Sequence, residues 1–314
     1  RLGGYLHALD ERLNPTVLRV EVDAPRSGLR ERLGALPDCV DLATVDARRG
    51  KGAAITAGFE ALVDDVDVLA FADADGSTPA DSFAAVVDAV ASGEVDLATG
   101  SRRHPEADVA SHQTFARRRL GDGFAWLARR FLDVQLYDYQ CGAKALTAEA
   151  WREIRAHLYE PGFAWDIELL SVAGALDCRI GEVPVRWEDR PGSTVSTVGT
   201  TLRLARALVT SRHRARLLRD DRVHELLDAR KPNEPSLVDR LAAAEAAEPA
   251  EADCMVRETV DALVSGVRFG KFVSVGAIGA AFDVATTTAL IVGFGVLDEY
   301  AKLVGAEVAI VVMF

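Results

Sequence analysis

The chain has 314 residues, 49% of them hydrophobic, enough for one large domain with an appendage. Its formal net charge of -12 argues against a general nucleic-acid binder. No CxxC pair occurs among Cys39, Cys141, Cys178 and Cys254, which speaks against a zinc site or disulfide framework and for buried free thiols. Only five lysines accompany 31 arginines; together with the many carboxylates this fits either a salt-loving source or GC-rich codon usage. No signal peptide is visible after Arg1, and the chain stops inside the apolar run 304–314, so both ends read as cut from a longer chain.

Residues 1–13 have the apolar spacing of an amphipathic helix. Residues 16–22 (TVLRVEV) read as a strand ending at Asp23, 40–45 as a second strand and 52–62 as a helix. The apolar run 66–72 (VDVLAFA) has strand length and ends in Asp73-Ala74-Asp75. A helix follows over 79–92 with proline in its first turn, then a short strand over 96–99. Helices are expected over 114–132, 145–157 and 165–176, and a strand over 180–187. Alternating strands and helices predict an α/β domain with a mostly parallel sheet. Ligands of such sheets bind at the carboxyl ends of strands, where Asp23, Asp73 and Asp75 fall.

The helix expected over 200–218 differs in character. It carries Arg203, Arg206, Arg212, Arg214 and Arg216, then Arg219, with no acid before Asp220. Such a helix suits either an anionic membrane surface or a solvated face. Residues 228–253, rich in Ala, Glu and Pro, read as a linker with some helix. Residues 272–297 have Asp283 as their only charge and are long enough to span a bilayer, which takes about 20 apolar residues. Arg257, Arg268 and Lys271 precede this segment and place its start on the cytoplasmic side. A second span starts near 303; the alternative is a buried soluble helix.

Two carboxylates one residue apart, just past a buried strand, can converge on Mg²⁺ or Mn²⁺ and so reach a diphosphate; the plainer reading is a solvated turn whose aspartate caps a helix. The turn continues as Gly76-Ser77-Thr78-Pro79. The strings FADADGSTP, TGSRRH, DYQCGAKAL, FAWDIELL and EVPVRWEDRPGSTV follow in order. Over residues 1–215 they resemble family-2 glycosyltransferases of the dolichyl-phosphate β-glucosyltransferase and dolichol-phosphate mannose synthase type. The tail, FGKFVSVGAIGAAFDVATTTALI and AEVAIVVMF, looks like the start of a GtrA-like membrane domain.

The resemblance implies a GT-A (nucleotide-diphospho-sugar transferase) Rossmann-like fold with C-terminal transmembrane helices. It divides the chain into a transferase domain over 1–219, an acidic linker over 220–258 and a partial membrane domain over 259–314. It also implies a first strand, with a P-x-Y-N-E-like turn, ahead of those read here. The expected partners are a UDP- or GDP-hexose, a polyprenyl or dolichyl phosphate and the membrane, with the catalytic domain on the cytoplasmic face of the cell membrane.

By position in the motifs, Asp73, Asp75 and Ser77 would hold the metal, although mannose synthases often have glutamine at the last. Asp23 would meet the nucleoside, but Ala24-Pro25 replace the acid and Gly-Ser usual after it. Lys51, in Arg49-Gly50-Lys51-Gly52, would attract donor phosphates. Arg102 and Arg117 would hold the acceptor phosphate through planar guanidinium forks. Gln140 and Lys144, in the pattern with Asp138 and Gly142, would meet the sugar or its phosphate, Lys144 being equally open to a structural role. Asp166, paired with Glu168, would orient the donor sugar or simply cap its helix. The implied reaction is a single inverting displacement, catalysed by positioning and electrostatics because a phosphate acceptor is already ionised. Two other classes fit parts of the pattern: a nucleotidyltransferase making a nucleotide sugar, and a non-catalytic membrane scaffold or lipid-carrier translocation factor.

Overall fold

The computed structural model describes residues 2–25, 27–109, 115–188, 197–228 and 234–246. Both expected membrane spans, and the whole of 259–314, lie outside the described residues. Among the described residues no helix is long and apolar enough to cross a membrane.

Strands and helices alternate through the first hundred residues: α1 (Leu2–Leu13), β1 (Leu18–Asp23), α2 (Leu29–Leu33), β2 (Val40–Val45), α3 (Lys51–Glu60), β3 (Val68–Ala72), α4 (Ala80–Ala91) and β4 (Leu97–Ser101). A short β5 (Asp108–Val109) precedes α5 (Phe115–Phe131). Then come β6 (Ala143–Thr147), α6 (Ala148–Ile154), α7 (Trp165–Ala175), β7 (Ile180–Pro184), β8 (Arg186–Trp187), α8 (Thr197–Leu217), α9 (Arg222–Asp228) and α10 (Leu237–Ala246). The helix expected over 145–157 therefore begins only at Ala148, and the residues before it form a strand. Thr147 marks the switch, its hydroxyl accepting the Ala150 N–H as an N-cap.

The four-stranded sheet has the order β3-β6-β4-β7. Among the described residues β6 alone runs antiparallel to its neighbours, while β4 and β7, β1 and β2, and β5 and β8 pair in parallel. Alternation along each strand builds two cores. Leu69, Leu97 and Leu146 face the larger one, formed with Phe59, Trp151, Trp165 and Leu170. Ala98, Ala143 and Ala145 face the other, where small side chains leave room for Phe83, Val86 and Val90 of α4.

β1 and β2 form their own two-stranded sheet. Between β1 and β3 lies a cleft of about 340 Å³, lined by Leu6 and Leu9 of α1, Ile55 and Phe59 of α3, and the strands, with Lys51 and Asp73 also on its wall. The α9 and α10 helices fall within the 220–258 stretch read as a linker, yet belong to the same compact unit, Arg1–Ala246. Leu237 is buried and donates its N–H to the Leu158 carbonyl at 2.7 Å, and Ser236 and Asp239 cap α10 reciprocally.

Candidate active site

β1 and β3 deliver their last residues to one side of the fold. Asp23 closes β1. Its carboxylate accepts the Arg49 N–H at 2.8 Å, the Gly50 N–H at 3.1 Å and the Arg49 guanidinium at 2.8 Å. Burial alone would raise its pKa, but these donors hold it below the ordinary carboxylate range. Asp23 thus fastens the turn that launches α3. Gly50 sits at φ +100°, and a Cβ there would lie 2.5 Å from the Pro161 carbonyl oxygen, so glycine alone fits.

Lys51 opens α3 and is not a solvated turn lysine. Its ammonium lies 3.1 Å from Asp73 and 3.1 Å from Asp166. Burial would lower its pKa, but the two carboxylates outweigh burial and keep it charged. The Phe71 ring lies near both ammoniums, with Lys51 5.4 Å and Lys144 5.8 Å from its centroid. Phe71 and Asp73 share a strand face, which brings ring and carboxylate to the same lysine.

Lys144 and Asp166 are placed differently from a donor-binding pair. Lys144, on β6, is fully buried and donates to the Cys141 carbonyl at 2.7 Å and to Asp166 at 2.9 Å. Asp166 is equally inaccessible, bridging both lysines, and the N-cap of α7 is Ala164, so capping is not its role. Burial pushes its pKa up, while Lys144 and Lys51 more than reverse the effect. Both side chains are buried; Lys144 holds Asp166, and Asp166 holds Lys51, which pairs in turn with Asp73.

The Asp73-Ala74-Asp75-Gly76 turn is compact. The Gly76 N–H meets the Asp73 carbonyl at 3.3 Å, and Gly76 adopts φ +69° against the Tyr5 ring. Asp75 is exposed and uses one oxygen to accept the Ser77 N–H at 2.8 Å. Ser77 is buried, and its carbonyl accepts the Glu188 N–H at 2.9 Å. Tyr5 donates to the Thr78 carbonyl at 2.8 Å; burial, then Asp75 and Asp73, push its hydroxyl pKa up. Among the described residues no group of three acidic, His or Cys side chains converges. Two oxygen-donor carboxylates on one turn still suit Mg²⁺ or Mn²⁺, which keep waters and take substrate phosphates alongside one or two protein ligands.

Arg102 follows β4. Its guanidinium grips Asp138 through Nε at 2.6 Å and Nη2 at 3.0 Å and lies 5.6 Å from the Trp187 ring. Burial opposes both charges, yet the pairing raises the arginine and holds Asp138 well below the usual carboxylate range. Asp138 also accepts the Gln140 N–H at 3.1 Å, and Glu182 accepts the N–H groups of Tyr137 and Asp138. Beside it, burial pushes the Cys141 thiol up to about 11. Arg117 lies in the first turn of α5, where side chains are outside the described residues.

The motif reading missed Arg49 as the partner of Asp23 and Glu182 as the brace of the Tyr137–Asp138 turn. Glu168 was named only as the partner of Asp166; it accepts the Tyr159 and Glu160 N–H groups and pairs with Arg214 of α8. A buried acid inside an apolar helix, as in FAWDIELL, was the available signal for Glu168. Nothing local announces the other two.

The strand ends, the two-aspartate turn and the Lys51 turn define a GT-A-like α/β domain with a mostly parallel sheet. Residues 23–145 match the profile described as Glycosyl transferase family 2. The chain is 34% identical over 170 residues to the glycosyltransferase AglD of Haloferax volcanii, covering 54% of this chain and 27% of that protein. It is 30% identical over 179 residues to the dolichyl-phosphate β-glucosyltransferase of Dictyostelium discoideum, covering 56% and 54%. With the enzyme of the same name from Drosophila melanogaster it shares 34% over 165 residues, covering 51% and 50%. The chain thus spans about half the length of the curated β-glucosyltransferases it matches, and about a quarter of AglD.

Proposed function

We propose that this chain moves a hexose from a nucleotide diphosphate sugar onto a polyprenyl phosphate; the name of the dolichyl-phosphate β-glucosyltransferases it resembles supports the acceptor and the transfer. The observation that carries the reading is the Asp73–Asp75 turn at the end of β3, held by Lys51, in a region matching family-2 transferases. Asp73 and Asp75 would hold Mg²⁺ or Mn²⁺, which when bound offsets the charge on the departing nucleoside diphosphate.

The chain's own residues supply the rest. Lys51 fixes Asp73. The Lys144–Asp166 pair fixes Lys51. Arg102 spends Nε and Nη2 on Asp138, which leaves its Nη1 edge for an acceptor phosphate, with Arg117 as a second candidate. Gln140, held at its N–H by Asp138, is the candidate for the donor sugar hydroxyls, and Asp23, through the Arg49–Gly50 turn, shapes the nucleoside end. Ser77 fits better as the residue that orients Asp75 than as a ligand, because it is buried. The acceptor phosphate is already anionic near neutral pH, its second pKa being about 6, so no side chain must deprotonate it. Its oxygen attacks the anomeric carbon as the bond to the donor diphosphate breaks. The carbon inverts, and the bond's electron pair leaves with the nucleoside diphosphate.

Attachment at the membrane is assigned to 259–314, where 272–297 is apolar enough to span and basic residues precede it on the cytoplasmic side. The test is incubation of membranes carrying the chain with dolichyl phosphate, Mn²⁺ and a panel of labelled UDP- and GDP-sugars. Label that enters the lipid phase and is released by mild acid supports the reading. Label that stays in the supplied nucleotide sugar would count against transfer; a labelled nucleotide sugar formed from labelled sugar 1-phosphate and nucleoside triphosphate would point to a nucleotidyltransferase, and an absence of heat on titration with UDP and Mn²⁺ to a scaffold.

A further inference from the structure

In a chain of net charge -12, α5 is an island of the opposite sign: Arg117, Arg118, Arg119, Arg129 and Arg130 against one acid, Asp122. That acid is paired with Arg103. The arginines at the carboxyl end of the helix flank Trp126, which is 63% exposed. Trp126 and Arg130 stand one turn apart on the open face, and Gly123, a turn earlier, has open space where a Cβ would be. Arg129 lies over the ring of Tyr137, itself exposed, at 5.7 Å. Tyr137 immediately precedes Asp138, the partner of Arg102. The opposite side of α5 is buried through Ala125 and Ala128.

A large amphipathic ring left in water beside cations that have no carboxylate partner among the described residues is the surface chemistry of a helix lying in a lipid headgroup layer. We infer that the Trp126–Arg130 face of α5, with Tyr137, docks onto the surface of an anionic lipid bilayer and so presents the Arg102 end of the site to a bilayer-confined acceptor. The charge complementarity selects the occupant: an anionic headgroup layer pairs with the arginines while its interface takes the indole, and a neutral bilayer lacks the charge. The inference rests on the acceptor being a lipid, but its test requires no transfer.

The full chain is reconstituted into vesicles of phosphatidylcholine with brominated acyl chains, with or without phosphatidylglycerol, and tryptophan emission is read. Of the four tryptophans, Trp151 and Trp165 are fully buried and supply an unquenched background. Wild type should lose emission in the anionic vesicles that the Trp126→Phe variant does not lose, and the loss should shrink without phosphatidylglycerol or in high salt. Arg130→Glu should reduce the loss at unchanged melting temperature, the weakening being about fivefold or more for the charge removed. Equal quenching of wild type and Trp126→Phe would overturn the proposal. So would quenching that appears only when polyprenyl phosphate is added, which would mean an acceptor subsite instead of a bilayer surface. Quenching without sugar transfer would leave the docking face standing and sink the transferase reading; transfer without quenching would do the reverse.

Discussion

Asp75 is exposed and, among the described residues, anchored only through the Ser77 amide, so replacing it alters the site without opening the core. Asp75→Ala should reduce transfer by about 10²–10³-fold or more, the scale of losing one group that stabilises developing charge. Its unfolding free energy should stay within about 0.5 kcal/mol of wild type. Labelled-lipid formation with saturating Mn²⁺ and a denaturant curve check both halves, and wild-type turnover would remove the metal from the proposal. Gly142 is a second, less visible requirement. The Asp73 carboxylate lies so close that a Cβ on residue 142 would stand 1.9 Å from one of its oxygens. Gly142→Ala should therefore push Asp73 off Lys51, cost about 1–3 kcal/mol as an overpacked site and abolish most activity. Gly123→Ala, in open space on α5, should instead gain about 0.5–1 kcal/mol. Thermal unfolding of the pair separates a positional glycine from an incidental one.

At the scale of elements, β6 shows where reading from sequence succeeds and where it stops. β2 was legible to the residue because Val40–Val45 is a short, mostly apolar run carrying the β-branched Val40, Thr44 and Val45. β6, AKALT, carries only one β-branched residue and runs into the helix-forming AEAW, so local propensity merged it with α6. Tertiary pairing decided: β6 inserts antiparallel between β3 and β4. The same insertion buries Lys144, and no single-sequence rule expects a buried lysine, since charges go inside only when paired. Its partner comes from α7, 22 residues on. The aspartates at the strand ends were legible because their role is positional; the ion network beneath them depends on which helices meet.

That network predicts a pH response. Asp166 and Asp138 are both held below the ordinary range, against burial, by Lys144 and Lys51 and by Arg102 respectively. Each binds its proton more readily when unfolded, so the stabilisation is complete above the unfolded value of about 3.9 and drains away as pH falls below it. Melting temperature should therefore drop steeply in acid. Asp166→Asn leaves the buried Lys144 ammonium without its carboxylate and Lys51 with Asp73 alone, and should cost about 3–5 kcal/mol at neutral pH. Its decline below pH ~4 should be shallower than wild type, because one of the two titrating groups is gone. Parallel slopes in the two proteins would disprove the linkage.

For the whole molecule, the open question is which basic surface faces outward. From sequence α8 is a candidate, with arginines at 203, 206, 212, 214 and 216, then Arg219, and no acid before Asp220. The structure engages those at its carboxyl end within the fold, while Arg206 is exposed. Arg212 donates to the Phe131 carbonyl, Arg214 pairs with Glu168 and Glu234, and Arg216 and Arg219 share Asp133. The Arg214–Glu168 contact reaches further, because Glu168 holds the Tyr159–Glu160 backbone and the neighbouring Pro161 carbonyl accepts the Ala53 N–H of α3. α8 therefore braces the turn that carries Lys51. Arg214→Ala leaves Glu168 buried with one fewer donor and should cost about 3–5 kcal/mol, as breaking a buried pair does. The loss of activity should follow the loss of folded protein and be recovered at lower temperature. Arg130→Glu on α5 should behave oppositely, keeping its melting temperature while changing only the encounter with lipid. If Arg214→Ala instead left stability untouched and weakened vesicle binding alone, α8 would be the membrane face and the roles of the two helices would have to be exchanged.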